Sequence, residues 1–139
     1  MELTKPNHGI PVVFDTNFLL LPFQRRVDIF GEVERLLEEP HYLVVVKQTL
    51  DELKGLSARH KKDSPAARAA LALIETKSFE IEGGFEGNAD AAIVKMCAAV
   101  GSEGARAVVC TNDRRLRDRL KKLGGRVCVS RDKGHLGLV

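Results

Sequence analysis

Tryptophan is missing from the chain, and tyrosine occurs once beside six phenylalanines. So small an aromatic content leaves few platforms on which unpaired bases could stack. No apolar run approaches the ~20 residues that a membrane-spanning helix needs. The opening MELTKPNHGIPVVFD lacks a basic stretch followed by a long apolar segment and a small-residue cleavage site. The expectation is therefore a cytoplasmic protein with no membrane partner. Cysteine is scarce and odd in number: Cys97, Cys110 and Cys128 lack a C-x-x-C spacing and lie inside apolar runs. They read as buried reduced thiols rather than a disulfide framework, a zinc site or a catalytic thiol. His8, His41, His60 and His135 have no H-E-x-x-H spacing, which argues against a zinc or histidine mechanism.

What is present is an ordinary globular balance. With 139 residues, the chain suits one domain over 1–139, a size that buries roughly two thirds of the unfolded surface. Short apolar runs at 11–14 (PVVF), 42–46 (YLVVV), 78–82 (SFEIE), 105–110 (ARAVVC) and 127–129 (VCV) read as strands. Helical patterns lie between them. The first, 17–21, is closed by Pro22; the second, 27–39, carries an apolar stripe through Val27, Ile29, Phe30, Val33, Leu36 and Leu37 and is closed by Pro40. The third, 48–59, turns Leu50, Leu53 and Leu56 inward. A fourth, 64–76, opens with Ser64 as cap and Pro65 at the first helical position; 89–100 and 113–123 follow, the last stopped by Gly124-Gly125. This alternation predicts an α/β fold, a three-layer α/β/α sandwich on a mostly parallel sheet of about five strands with right-handed crossovers. The tail, 132–139, reads as a last edge segment or as a cover on the core.

Four acidic residues fall where an apolar run gives way to a helix: Asp15 in VVFDTN, Glu52 in TLDELKGL, Asp90 in GNADAAIVKMC and Asp113 in CTNDRRLR. In an open parallel sheet those junctions share one edge, the carboxyl ends of the strands, where such folds bind ligands. Each acid has a plain alternative. Asp15 can cap the next helix, Glu52 suits the dipole of a first turn, Asp90 follows the cap candidate Asn88, and Asp113 follows Thr111 and Asn112, either of which offers a cap. Asp51 is the poorer partner for the site, because the stripe through Leu50 and Leu53 turns it outward. Taken together, four gathered carboxylates repel one another unless a divalent cation sits between them, which points to metal-dependent phosphodiester chemistry.

Charge placement agrees with that chemistry. From Thr111 to Val139 there are nine Lys or Arg against three Asp, a local balance of +6. Such a run is usually a solvated helix face; beside an acidic site it also supplies the basic rim that holds a phosphate backbone. Two other nucleotide and phosphate chemistries are excluded by motif. DTNFLL cannot supply G-x-G-x-x-G, the later GGFEGNA lacks its spacing, and a HAD-type phosphatase needs a second acid where this chain has Asn17.

In order, VVFDTNFLL, TLDELKGL, GNADAAIVKMC and VVCTNDRRLR resemble the acidic quartet of the PIN domain, a small ribonuclease fold, over nearly the whole chain. The chain looks most like short single-domain archaeal members similar to ribosomal-RNA-processing PIN nucleases. Toxins of VapC-type toxin–antitoxin pairs are the nearest alternative. The resemblance implies that Asp15, Glu52, Asp90 and Asp113 hold one or two Mg²⁺ or Mn²⁺ ions, which acidify a water for in-line attack on phosphorus. It implies that Thr16, Asn17, Thr111 and Asn112 orient these carboxylates or touch phosphate, each with helix capping as its alternative. Lys54, Arg114 and Arg115 would contact the RNA backbone. Homodimer formation and an antitoxin or ribosome-assembly partner are expectations of the same kind. The strongest non-enzymatic alternative is a PIN-like domain that binds RNA or an assembly partner without cutting.

Overall fold

The computed structural model describes residues 9–101 and 107–139; His8 and the first two residues of the expected strand at 105–110 lie outside them. Strands β1 (Ile10–Phe14), β2 (His41–Val46), β3 (Glu80–Glu82), β4 (Val108–Cys110), β5 (Arg126–Ser130) and β6 (Leu136–Leu138) form one sheet. Helices α1 (Thr16–Arg25), α2 (Ile29–Leu36), α3 (Lys47–Ala58), α4 (Ser64–Thr76), α5 (Ala89–Gly101) and α6 (Arg114–Lys122) cover it. The strand order is β3-β2-β1-β4-β5-β6, parallel throughout except for β6, which runs antiparallel to β5. The sheet therefore has six strands rather than about five. The extra one is the tail, whose Leu136 to Leu138 pair with Ser130 to Cys128.

Strand residues alternate between two cores, as the two-residue period of a strand requires. Val12, Phe14, Val45, Val108, Cys110 and Cys128 face helices α1 to α4 and pack on Phe18, Leu19, Ile29, Val33, Leu53, Ala67, Ala70 and Ile74. Val13, Val44, Val46, Val109, Val127 and Val129 face α5 and α6 through Ala92, Ile93, Met96, Leu116 and Leu120. Helices thus cover both faces, and β1 is buried from Pro11 onward. That explains its continuous apolar run. Phe14 anchors the first core with Phe18, Phe30 and Phe79 around it at ring-centroid distances of 6.1, 5.8 and 5.5 Å. All three thiols are free and buried. Among the described residues no helix is long and apolar enough to cross a membrane.

Three helix boundaries differ from the sequence expectation. Pro22 does not close the first helix but lies inside α1, which runs on to Arg25 and ends at a left-handed Arg26, φ 55°. Proline removes one backbone bond and crowds the carbonyl four residues back; burial of Leu19, Leu20 and Leu21 in the same stretch offsets that cost. The second helix begins only at Ile29, because Asp28 accepts from the Gly31 amide and caps it there, and ends at Leu36. Ser64 is not the cap of α4. That position belongs to Asp63, while the Ser64 hydroxyl accepts from the Lys61 amide and donates to the carbonyl of Leu56 at 2.8 Å and to that of Arg59. The turn between α3 and α4 is thereby tied together.

The tail docks through Glu32 on α2. Its Oε1 accepts from the Leu136 amide at 2.9 Å and faces His135 Nδ1 at 3.3 Å, and its carboxylate also pairs with Arg35. Arg35 in turn donates to the Leu136 carbonyl at 3.0 Å. These donors hold the Glu32 carboxyl down at about 2, the Arg35 guanidinium first among them. A Glu32→Ala variant is expected to speed amide exchange in β5 and β6 at least several-fold while β1 and β2 stay protected. Equal protection in all four strands would show that the edge pairing alone holds the tail.

Candidate active site

Strand order places the site. β1 leads through α1 and α2 to β2 on one side, whereas β4 flanks β1 on the other, so the crevice between the carboxyl ends of β1 and β4 is the switch point of the sheet. There the ladder runs past the strands: the Asp15 amide donates to the Cys110 carbonyl at 3.2 Å and the Thr111 amide to the Cys128 carbonyl at 3.0 Å. These bonds bring Asp15 and Thr111 side by side.

A pocket of about 240 Å³ opens at this point, lined by Asp15, Thr16, Asn17, Glu52, Asn88, Ala89, Asp90 and Asp113. The structure thus gathers all four acids from four separate segments. A larger hollow between α1 and α4 is lined by Phe23, Arg25, Lys62 and Pro65, but it holds only one carboxylate, Asp63.

Asp15 is the most constrained of the four. It caps α1, with Oδ1 accepting from the Phe18 amide at 2.8 Å, while Oδ2 accepts from the Thr111 hydroxyl. The same hydroxyl accepts from the Asp113 amide at 3.0 Å, so Thr111 links the backbone of one acid to the side chain of another. Asp113 caps α6 itself, accepting from Leu116 at 3.0 Å. The expectation that Thr111 or Asn112 would serve as that cap is corrected here. Thr111 is buried and turned toward Asp15, and Asn112 exchanges bonds of 2.9 and 2.8 Å with Ser130. Capping occupies one oxygen of Asp15 and one of Asp113, and leaves lone pairs on both for the pocket.

Glu52 lies in the second turn of α3 and accepts from the Thr16 hydroxyl at 2.8 Å. Its neighbour Asp51 is exposed and pairs with Lys47 at 3.3 Å, outside the pocket. Asp90, half-buried in the first turn of α5, follows Asn88, whose Oδ1 accepts from the Ala91 amide at 2.8 Å and caps that helix. Asn17 lines the pocket directly. Lys54, Arg114 and Arg115 are exposed, the two arginines in the first turn of α6. What sequence reading missed is Gln48, one turn before Glu52, whose amide holds the loop leading to Asp90. The four-residue spacing was the available signal.

Electrostatically the pocket is overcharged. Burial pushes the Asp15 carboxyl up from its ordinary 3.8 to about 6, against the hydrogen bonds from Thr111 and Phe18 and with help from the charges of Asp90 and Asp113. Asp90 is also raised, first by burial and then by Asp113, with Arg119 pulling the other way. Among the described residues no three acidic, imidazole or thiol side chains stand close enough to enclose an ion unaided. An all-oxygen donor set with surplus negative charge nonetheless suits a hard cation such as Mg²⁺, which completes its coordination with water.

A family model described as PIN like domain matches residues 12–133. Ribonuclease VapC4 of Methanocaldococcus jannaschii is 29% identical over 123 residues, covering 88% of this chain and 91% of that protein. Among solved structures, the PIN domain endonuclease Utp24 superposes with a TM-score of 0.77 at 21% identity, covering 99% of this chain and 94% of that one. That likeness is one of fold. VapBC-1 from nontypeable Haemophilus influenzae reaches only 0.47 at 18% identity, over 81% and 94% of the two chains, too loose to carry an argument.

Because the folded Asp15 pKa of about 6 exceeds the ordinary 3.8, the folded state binds this proton more tightly than the unfolded one. Stability from this group is then highest below pH 4 and falls as pH rises through about 6, by about 3 kcal/mol at most. Asp15→Asn is expected to remove that slope. In urea unfolding without divalent cations it should exceed wild type by about 1–3 kcal/mol at pH 8 and gain nothing at pH 4. A difference independent of pH would contradict burial as the cause.

Proposed function

The chain belongs to the PIN-like domain family, and from that premise we propose that it is a metal-dependent endoribonuclease, hydrolysing RNA phosphodiester bonds at the pocket of Asp15, Glu52, Asp90 and Asp113. One observation carries this reading: four acids from four segments line one pocket at the switch point of the sheet. The name of a similar protein, Ribonuclease VapC4, supports the same chemistry, and the likeness to Utp24 supports the fold that carries it.

In this reading Asp15, Glu52, Asp90 and Asp113 hold Mg²⁺ or Mn²⁺. The cation, when bound, makes a water more acidic and offsets charge on the phosphoryl group. The chain itself supplies the positioning. Thr111 and the Phe18 amide fix Asp15, Thr16 fixes Glu52, and the cap bond to Leu116 fixes Asp113. Arg114 and Arg115, which follow Asp113 directly, and Lys54, exposed on α3, are the cations offered to backbone phosphates. With little aromatic surface, recognition rests on RNA shape or on a partner rather than on base stacking.

We place the enzyme in the cytoplasm and in ribosomal-RNA processing, with a homodimer or an assembly protein as its company. The similarity to Ribonuclease VapC4 supports a second setting, in which the protein is a toxin whose acidic pocket is covered by an antitoxin. A small antitoxin gene beside its own would favour that second setting.

Structured RNA is expected to be cut in the presence of Mn²⁺ or Mg²⁺ and left intact with EDTA. Asp15→Asn and Asp90→Asn should each lower the rate about 10²-fold or more. Equal silence of wild type and variants, with RNA bound alike, would instead leave a binding domain that does not cut. The rim is checked separately. Arg114→Gln combined with Arg115→Gln should weaken RNA binding and lower the salt dependence of log Kd by about 0.7 per lost phosphate contact.

A further inference from the structure

Residues 83–88 connect β3 to α5 and deliver Asn88, Ala89 and Asp90 to the pocket. Three successive carbonyls of this loop are held by side chains. Gln48 Nε2 donates to Phe85 at 2.7 Å and to Gly87 at 3.0 Å, and Lys95 Nζ donates to Glu86 at 3.0 Å. Gln48 stands on α3 and Lys95 on α5, the two helices that carry Glu52 and Asp90. The turn itself is specified by Gly87, whose φ of +104° and close approach to Ala91, 2.9 Å from a Cβ built there, exclude a side chain. Phe85 fixes the other end by packing against the core under α5.

Gln48 lies one helical turn before Glu52, on the same face of α3. Its two carbonyl partners determine which end of the amide is the nitrogen. The opposite end, Oε1, is buried without a partner among the described residues. An orphan acceptor costs roughly what donated bonds return. The amide therefore contributes little net stability, and its bonds are better accounted for by where they hold the loop.

We propose that Gln48 is a positioning residue for the acidic pocket: by clamping the Phe85 and Gly87 carbonyls to α3, it sets the spacing between Glu52 and Asp90. This inference rests on the reading of the pocket as a cation site. A methionine at this position keeps the volume and removes both donors, leaving the Glu86 carbonyl held by Lys95 on α5 and the Gly84 amide by Glu82 on β3.

The experiment compares wild type with Gln48→Met, Lys95→Met and Lys47→Met by Mn²⁺ titration, amide exchange and RNA cleavage. For Gln48→Met the expectation is an unchanged melting temperature and faster exchange confined to residues 83–91. The Mn²⁺ midpoint should rise about tenfold, kcat should recover at raised Mn²⁺, and KM for RNA should not move. Lys95→Met, an exposed change on the other clamp, should shift the Mn²⁺ midpoint in the same direction, which keeps the test open should Gln48→Met fold poorly. Lys47→Met breaks the Lys47–Asp51 pair on the same turn, keeps an unbranched apolar stem beside Gly83, and should leave the midpoint alone. Faster loop exchange with an unchanged midpoint would overturn the proposal, as would unchanged exchange. Wild type that neither binds Mn²⁺ nor cuts would bring down the cation reading itself, and the positioning role with it, an outcome visible before any variant is made.

Discussion

The site depends on a carboxylate placed where the sheet reverses its order. Asp15 leaves the buried strand β1 with its backbone still bonded to β4, and its two oxygens are taken by the Phe18 amide and the Thr111 hydroxyl. Those bonds fix the direction of α1 and the register of the segment after β4 at once. Burial makes the charge costly, and the neighbouring acids make it costlier. A group so disfavoured for stability persists where its charge is used, which is the argument for chemistry here.

Helix capping and site chemistry are not competitors in this fold. A cap needs one carboxylate oxygen turned back toward the helix amides, and the second oxygen keeps lone pairs for another partner. Asp15 and Asp113 both follow this pattern, at the two strands that flank the crevice. Glu52 and Asp90 arrive differently, from within helices on opposite faces of the sheet. The pocket straddles the sheet edge, and its width depends on how α3 and α5 are held relative to each other. The two helices touch directly, and the loop at 83–88 ties them further through Gln48 and Lys95.

Much of this arrangement is legible in the order of residues. The strand cores, the helix stripes through Leu53, Ile93 and Leu116, and the four acids at strand ends follow from periodicities of two and 3.6, which burial imposes locally. Local signals failed where another segment competed. Pro22 reads as a stop, yet the buried leucines beside it carry α1 through. Ser64 reads as a cap, yet its hydroxyl serves the carbonyls of the preceding turn. The tail reads ambiguously because Leu136 and Leu138 make sense only beside Cys128 and Ser130, and because Glu32, about a hundred residues earlier, supplies the acceptor for the Leu136 amide.

By itself, the sequence determined which residues are acidic, which runs are apolar and in what order they come, and hence the layered fold and the candidate quartet. Only the tertiary structure decided that the four acids share one pocket, that Thr111 bridges Asp15 and Asp113, and that Gln48 reaches the loop before Asp90. The reason is physical. Periodicity records which face of an element is buried, a property of near neighbours. Hydrogen bonds between distant side chains and carbonyls depend on strand order and on the meeting of helices from both faces, and these exist only once the sheet has formed.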